Sequence, residues 1–315
     1  MKGESMKRIQ YHSYGGPEVM RLEEFALGTP GKDEVAVAVR RAALNPIDWK
    51  VRNGAMKIVT GRSFPRGMGL DLAGTVTAVG ADVTRFKIGD AVFGMARFKE
   101  AGSLAEAVIA KEAALAKKPA TVSFEQAACL GTAGVTAWNG LIDKARLRPG
   151  QSVFINGCSG AVGEAGVQIA RMFGAEVSGS CGAEGIERAR SLGLQTVYDY
   201  RVTAASTISE VFDVVFDAAG TLSTSTGIGL LRKGGTFTTV EPTPVRFLRA
   251  VFDRRMKPIV GKPRADLLDR LAKAAHDRTL VLPIAETVPL AQAIPLISAI
   301  EAGRKLRGKV VVTIG

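Results

Sequence analysis

The stretch Ser152-Val-Phe-Ile-Asn-Gly-Cys-Ser-Gly-Ala-Val-Gly163 constrains this chain more than any other. An apolar run of β-formers ends at Asn156, glycines fall at Gly157, Gly160 and Gly163, and a helical pattern follows. In that pattern Val162, Val167, Ile169, Ala170 and Phe173 are available for burial. Strand, glycine turn and helix, in that order, are what a dinucleotide site requires. The turn must be tight, the backbone must approach a pyrophosphate, and the helix N-terminus supplies unpaired N–H donors and the positive end of a dipole. Gly160 opens the approach to phosphate, and Gly163 lets the helix pack on the strand. The spacing is G-x-x-G-x-x-G rather than G-x-G-x-x-G, so the motif depends on the βαβ context around it.

That context is present. Strand-like runs at 176–180, 196–198, 213–217 and 236–240 alternate with helical stretches, as in a parallel sheet with right-handed crossovers. Ser123–Gly140 reads as one helix, with Ser123 and Glu125 or Gln126 as its cap. Before Lys118 the texture is β-rich, with short strands at 35–39, 74–79 and 90–93; beyond Val260 come two helices and a terminal strand, 308–314. The expected organisation is a β-rich domain over 1–121 completed by about 255–315, and a nucleotide-binding domain over 122–254.

Composition bounds the rest. A chain of 315 residues has room for two domains, and 46% hydrophobic with 23% charged residues is a globular balance. The nearest approach to a membrane span, Val281–Ile300, carries Glu286, Pro283, Pro289 and Pro295. The N-terminus has no apolar core of a signal peptide, and three unevenly spaced cysteines point to reduced thiols and a cytoplasmic location. The net charge of +12 is interspersed with acids except over Arg246–Arg264, where seven basic residues meet one acid and interleave with Phe247, Leu248, Val251 and Phe252. That stretch reads as a solvated face over apolar packing or as a weak contact with anionic membrane; no specific nucleic-acid partner is expected.

Seven further segments share an order and spacing: Tyr14-Gly-Gly-Pro-Glu-Val19, Leu44-Asn-Pro-Ile-Asp-Trp-Lys50, Gly69-Leu-Asp-Leu-Ala-Gly74, Phe86–Gly94, Gly131-Thr-Ala-Gly-Val-Thr-Ala-Trp138, Ser191–Gly193 with Asp199-Tyr200, and Gly308-Lys-Val-Val311. With the glycine turn they resemble the zinc-free, ζ-crystallin-like quinone oxidoreductases of the medium-chain dehydrogenase/reductase superfamily. The resemblance implies an α/β protein, a GroES-like β-rich catalytic domain plus a doubly wound Rossmann domain, with NADPH between them and a homodimer in contact near the edge strand Thr236–Val240. It also implies cofactor contacts at Asn45, Thr136, Ser159, Gly160, Ala161, Val162, Ser180, Tyr200, Ala218, Ala219, Val240 and Lys309, with Asn45 and Asp48 as catalytic candidates.

The residues bear on the chemistry. Where the superfamily's alcohol dehydrogenases carry zinc ligands, this chain reads Gly67-Met-Gly-Leu-Asp71 and Asn45–Asp48, and it has only His12 and His276. No set of three N/S ligands can be assembled there, so no metal is expected. Without a metal the acceptor must already take hydride, as quinones and α,β-unsaturated carbonyls do. Asn45 then offers its amide to substrate or cofactor, and Asp48 organises the loop or the ribose. Two alternatives stand beside this reading: an NADPH-binding crystallin-like or membrane- or RNA-associated protein with little turnover, and an enoyl-thioester reductase. The latter places a tyrosine as proton donor in the segment corresponding to Trp49–Phe64, where this chain has none. For the cofactor, Ser180 and Tyr200 favour a 2′-phosphate, with Arg188 and Arg201 nearby. Glu184 opposes it, which leaves NADPH preferred and NADH possible.

Overall fold

The computed structural model describes residues 5–315. They form two compact units, one of residues up to 132 together with 263–315, the other of residues 133–262.

In the first unit the ten-residue strand Glu34–Ala43 is the organiser. It pairs antiparallel with Asp71–Val79 and Ala107–Lys111, and with Lys309–Thr313 from the C-terminus. The full sheet runs Ile284–Pro289, Lys309–Thr313, Glu34–Ala43, Asp71–Val79, Ala91–Met95, Leu115–Lys117, and a smaller sheet joins Arg21–Phe25, Met6–Tyr11 and Arg66–Gly67. Val37, Leu72, Val92, Leu115 and Val312 close the core between them. Register fixes the site: Ala43 lies opposite both Asp71 and Val311. The end of one strand, the start of a second and the start of the C-terminal strand therefore meet at one point.

The single helix expected over Ser123–Gly140 is broken. Ser123 caps Phe124–Ala128, its Oγ accepting from the Gln126 N–H at 3.2 Å, and a second helix begins at Gly131 and runs to Trp138. The break has a cause. A side chain at 131 would place its Cβ 2.5 Å from Asp71 Oδ1, so glycine admits the close approach, and the new helix start frees the Thr132 N–H for that carboxylate.

The second unit is a six-stranded parallel sheet of β1 (Ser152–Asn156), β2 (Glu176–Cys181), β3 (Val197–Asp199), β4 (Phe212–Asp217), β5 (Leu231–Thr239) and β6 (Met256–Pro258), in the order β3-β2-β1-β4-β5-β6. Helices α1 (Ala161–Met172), α2 (Ile186–Ser191), α3 (Thr224–Gly229) and α4 (Pro244–Phe252) lie between the strands in sequence. The inner strands β1 and β4 are almost continuously buried, as strands covered on both faces must be. One expectation is corrected: Thr236–Val240 is not at an edge. β5 is paired on both sides, because the chain beyond α4 adds β6, and the exposed edge belongs to that three-residue strand. Helix α4 itself went unread in the sequence; Thr243 caps it by accepting from the Arg246 N–H at 3.3 Å, and Pro244 occupies its first turn.

Among the described residues no helix is long and apolar enough to cross a membrane. Val281–Ile300 divides into the strand Ile284–Pro289 and the helix Ala293–Glu301.

Candidate functional site

In the second unit the glycine turn is backbone architecture. Gly157 adopts φ +79°, which favours glycine. A Cβ on Gly163 would fall 2.0 Å from the Gly157 carbonyl oxygen, so helix α1 reaches the turn only without a side chain. A Cβ on Gly160 would find nothing nearer than that oxygen at 3.5 Å, which leaves the helix entrance open. Gly160 is the N-cap of the twelve-residue α1 and supplies no side-chain cap, so Ala161 and Val162 begin a helix whose first N–H groups are not capped by a side chain. These features fit a pyrophosphate. Ser159 lies on the turn, its side chain 2.6 Å from where a Cβ on Gly185 would stand.

A polar network seals the C-terminal ends of the strands beside this turn. Asn156 Nδ2 donates to Asp217 Oδ1 at 2.7 Å and to Thr221 Oγ1 at 2.9 Å, while its Oδ1 accepts from Ser180 Oγ at 2.8 Å. Asp217 is fully buried and also accepts from Thr239 Oγ1 and from the Thr221 and Leu222 N–H groups. The Ala218 and Ala219 N–H groups both donate to the Asn156 carbonyl, and the Val240 N–H donates to the Asp217 carbonyl. Asn156 and Asp217 were not singled out in the sequence; their signal was a polar residue closing an apolar strand. Ser180 thus spends its hydroxyl proton on Asn156 rather than holding it for a phosphate. Thr136 is half-buried and faces Gly261.

Tyr200 is half-exposed, with the Arg201 guanidinium 5.2 Å from its ring centre. Arg201 forms a two-pronged pair with Glu184 at 2.8 and 3.0 Å. Glu184 is therefore not a bare negative charge, which changes the sequence-based expectation that it repels a 2′-phosphate. Arg188 is held by Glu164, whose carboxyl is raised above its ordinary value, chiefly by burial. Cys158 and Cys181 are buried free thiols; the hydrogen bond with Cys181, then burial, pushes Cys158 up.

The first unit holds the second group of candidates. Asn45 Nδ2 donates to Asp71 Oδ2 at 2.8 Å and to the Ala43 carbonyl at 3.1 Å. Asp71 Oδ1 accepts from the N–H and the hydroxyl of Thr132 at 2.7 and 2.6 Å. Lys309 Nζ donates to Asn45 Oδ1 at 2.6 Å and to the Leu44 carbonyl at 2.9 Å, and lies 3.6 Å from Asp71 Oδ2. Asp48 Oδ2 accepts the Asn45 N–H at 2.8 Å and so caps the helix Pro46–Arg52. Asn45, Asp48, Asp71 and Lys309 are all buried.

Two consequences follow. The Asn45 amide is bonded to Asp71, Lys309 and the backbone, and so links the members of a buried charge network. Asp48 Oδ1 is buried with no hydrogen-bond partner, and burial, reinforced by the neighbouring Asp71, pushes its carboxyl up to about 7. Asp71 is the residue that sequence reading missed here; the signal was a lone acid opening the apolar strand Asp71–Val79. The fold also brings a phenol to the segment that lacked one. Tyr14 hydroxyl lies 2.8 Å from Thr60 Oγ1 and bonds the Gly61 carbonyl.

Comparison with known proteins places this arrangement. Residues 31–120 match the alcohol dehydrogenase GroES-like domain, and residues 192–312 match the zinc-binding dehydrogenase domain. The chain is 31% identical over 258 residues to a chloroplastic quinone-oxidoreductase homolog of Spinacia oleracea, covering 79% of this chain and 78% of that protein. It is 35% identical over 239 residues to the chloroplastic NADPH-dependent alkenal/one oxidoreductase of Arabidopsis thaliana, covering 73% of this chain and 61% of that one. The quinone oxidoreductase from Coxiella burnetii superposes with a TM-score of 0.89 at 29% identity, over 99% of this chain and 100% of that one.

Proposed function

The chain belongs to the quinone oxidoreductases of the medium-chain dehydrogenase/reductase superfamily and is an oxidoreductase; from that premise we propose that it transfers hydride from NADPH to quinones or α,β-unsaturated carbonyls without zinc. The observation that carries the reading is the donor set of the first unit. The Lys309 ammonium donates to Asn45 and lies 3.6 Å from Asp71, while Thr132 donates to Asp71 and Asp48 accepts the Asn45 N–H. A cation already serves the acidic centre, and among the described residues no group of three or more His, Cys, Asp or Glu could hold a metal. An acceptor that needs no Lewis acid suits such a site.

A bound nicotinamide supplies the hydride; the remaining work falls to the protein. The glycine turn and the bare start of α1 would hold the pyrophosphate. Hydride addition leaves negative charge on the acceptor oxygen, which requires a proton. We assign that proton to Asp48, whose carboxyl, raised to about 7 by burial, is partly protonated near neutrality. The Asn45 N–H positions it, and Asp71 and Lys309 hold the Asn45 side chain. The name of the Arabidopsis relative, NADPH-dependent alkenal/one oxidoreductase, supports both the nucleotide and the conjugated acceptor. Three free, buried thiols suit a reducing compartment such as the cytoplasm.

Cofactor oxidation measured against quinones, 2-alkenals, enones and an enoyl thioester, with and without chelator, tests the reading. Turnover with the first three classes that survives chelation is expected. Tight NADPH binding with no turnover above the uncatalysed rate would turn the reading toward a binding protein. Preference for the thioester would point to an enoyl reductase, with Tyr14 the phenol to examine.

A further inference from the structure

We propose that Cys158 and Cys181 are a dithiol which a peroxide closes to a disulfide, and that this closure releases nucleotide from the glycine turn. The second half rests on the reading of that turn as a nucleotide site; the first half does not.

The fold sets the two thiols side by side. The Gly157 and Cys158 N–H groups both donate to the Ser180 carbonyl, at 2.9 and 3.0 Å, so the turn leaving β1 is tied to the end of β2. Glycines make the room. A Cβ on Gly179 would stand 3.1 Å from Cys158 Sγ, and one on Gly185 3.3 Å from Cys181 Sγ. In the space they leave, the Cys158 thiol bonds the Cys181 sulfur, which also takes a bond from the Ser159 hydroxyl.

The pair is asymmetric. The bond from Cys158, aided by that from Ser159, holds Cys181 below the ordinary thiol value against burial and the charges of Asp199 and Glu184. Cys158 is pushed up, by its bond to Cys181 and then by burial. Cys181 is therefore the sulfur that attacks and Cys158 the one that resolves. The Cys181 thiolate displaces hydroxide from hydrogen peroxide and becomes a sulfenic acid. The Cys158 sulfur then attacks it, the Cys158 proton leaves with the hydroxyl as water, and the S–S bond forms. Two thiols are oxidised and one peroxide is reduced to two waters.

Closure draws the sulfurs inside hydrogen-bond contact and alters the bond to Ser159. The Cys181 carbonyl accepts the Tyr200 N–H at 3.1 Å, so movement at Cys181 carries to both Ser159 and Tyr200. Both are cofactor contacts in the nucleotide reading. Burial selects the oxidant: Cys158 and Cys181 are 0 and 2% exposed, which leaves entry to a peroxide and none to a tripeptide such as glutathione. Cys129 is the internal control, equally buried, with its thiol on the Glu125 carbonyl at 3.2 Å rather than on a sulfur.

The full chain, reduced or treated with hydrogen peroxide, is digested without reductant for peptide mass mapping, and NADPH binding is titrated on the same samples. A Cys158–Cys181 cross-link that dithiothreitol reverses is expected, with Cys129 free and no adduct when oxidised glutathione replaces the peroxide. NADPH affinity should fall about tenfold or more on oxidation, a cost in keeping with moving positioned groups by about 1 Å. Cys158→Ala and Cys181→Ala should each abolish that loss, every variant being compared with its own reduced sample. Absence of the cross-link, or glutathione on either cysteine, overturns the proposal. A cross-link with unchanged NADPH affinity overturns its second half. Reduced protein that binds no NADPH overturns the reading of the turn and that second half with it, while the cross-link still decides the first.

Discussion

The glycine turn of the second unit and the buried cluster of the first are made of opposite materials. At the turn the working parts are backbone: Gly157 at positive φ, a close approach at Gly163, and N–H groups left bare at the start of α1. In the cluster they are side chains, with Asn45, Asp71, Thr132 and Lys309 bonded to one another and to the strand ends that carry them, and Asp48 held through one oxygen while the other has no partner. A backbone site tolerates change wherever no Cβ intrudes. A side-chain network of buried charges tolerates little, because removing one member leaves another uncompensated.

The largest test of that difference is Lys309→Met. It strips Asp71 of its cation while the carboxylate stays buried, and should cost about 3 kcal/mol or more in denaturant unfolding. Combination with Asp71→Asn should recover part of the loss, and a fully additive double variant would show that the two residues are not coupled.

Next comes a contrast within the turn. Gly163→Ala puts a methyl 2.0 Å from the Gly157 oxygen and should lower stability by about 1–3 kcal/mol and nucleotide affinity with it. Gly160→Ala meets nothing closer than 3.5 Å, so its melting temperature should hold while nucleotide affinity alone falls. Equal melting temperatures for the two variants would break the backbone account.

Asp48→Asn probes the cluster by pH. The folded carboxyl titrates at about 7, against about 4 for an unfolded aspartate. The folded state therefore holds its proton more tightly, and the stability this confers is complete below about pH 4 and lost as pH rises through about 7. Unfolding measured across that window should show a falling trend in the parent that the variant flattens, the change between pH 4 and pH 7 amounting to as much as about 4 kcal/mol. The acid-dependent limb of kcat should move as well; an unchanged profile would remove Asp48 from proton delivery.

The smallest effect belongs to Arg201. With Glu184 already paired to it, a 2′-phosphate bound beside Tyr200 would meet a guanidinium and no bare carboxylate. Arg201→Gln should lower kcat/KM for NADPH severalfold and leave that for NADH within about twofold, as expected for an exposed, screened charge. An unchanged ratio of the two cofactors would place the phosphate elsewhere.

Legibility in the sequence followed the range of the forces involved. Gly157, Gly160 and Gly163 announced the turn because their requirement is local, a matter of φ and of missing Cβ atoms within seven residues. The Ser123 cap was readable for the same reason. The break at Gly131 was not, because its cause is Asp71, a residue on another strand. Glu184 looked like a repulsive charge until Arg201, 17 residues on, was seen to hold it. Edge position in a sheet escaped likewise: strand pattern marks Thr236–Val240, whereas pairing with Met256–Pro258 decides that it lies inside.

By itself, then, the sequence determined the local and periodic parts of this protein: the strand–turn–helix that suits a dinucleotide, the alternation that makes a parallel sheet, and the absence of Cys and His at the positions where zinc ligands would stand. Tertiary structure alone decided which polar groups meet. Lys309 reaches Asn45 across 264 residues because the C-terminal strand pairs beside Ala43, and Asp48 is raised to about 7 because that packing buries it next to Asp71. Desolvation and charge pairing act through space, and no spacing along the chain encodes them.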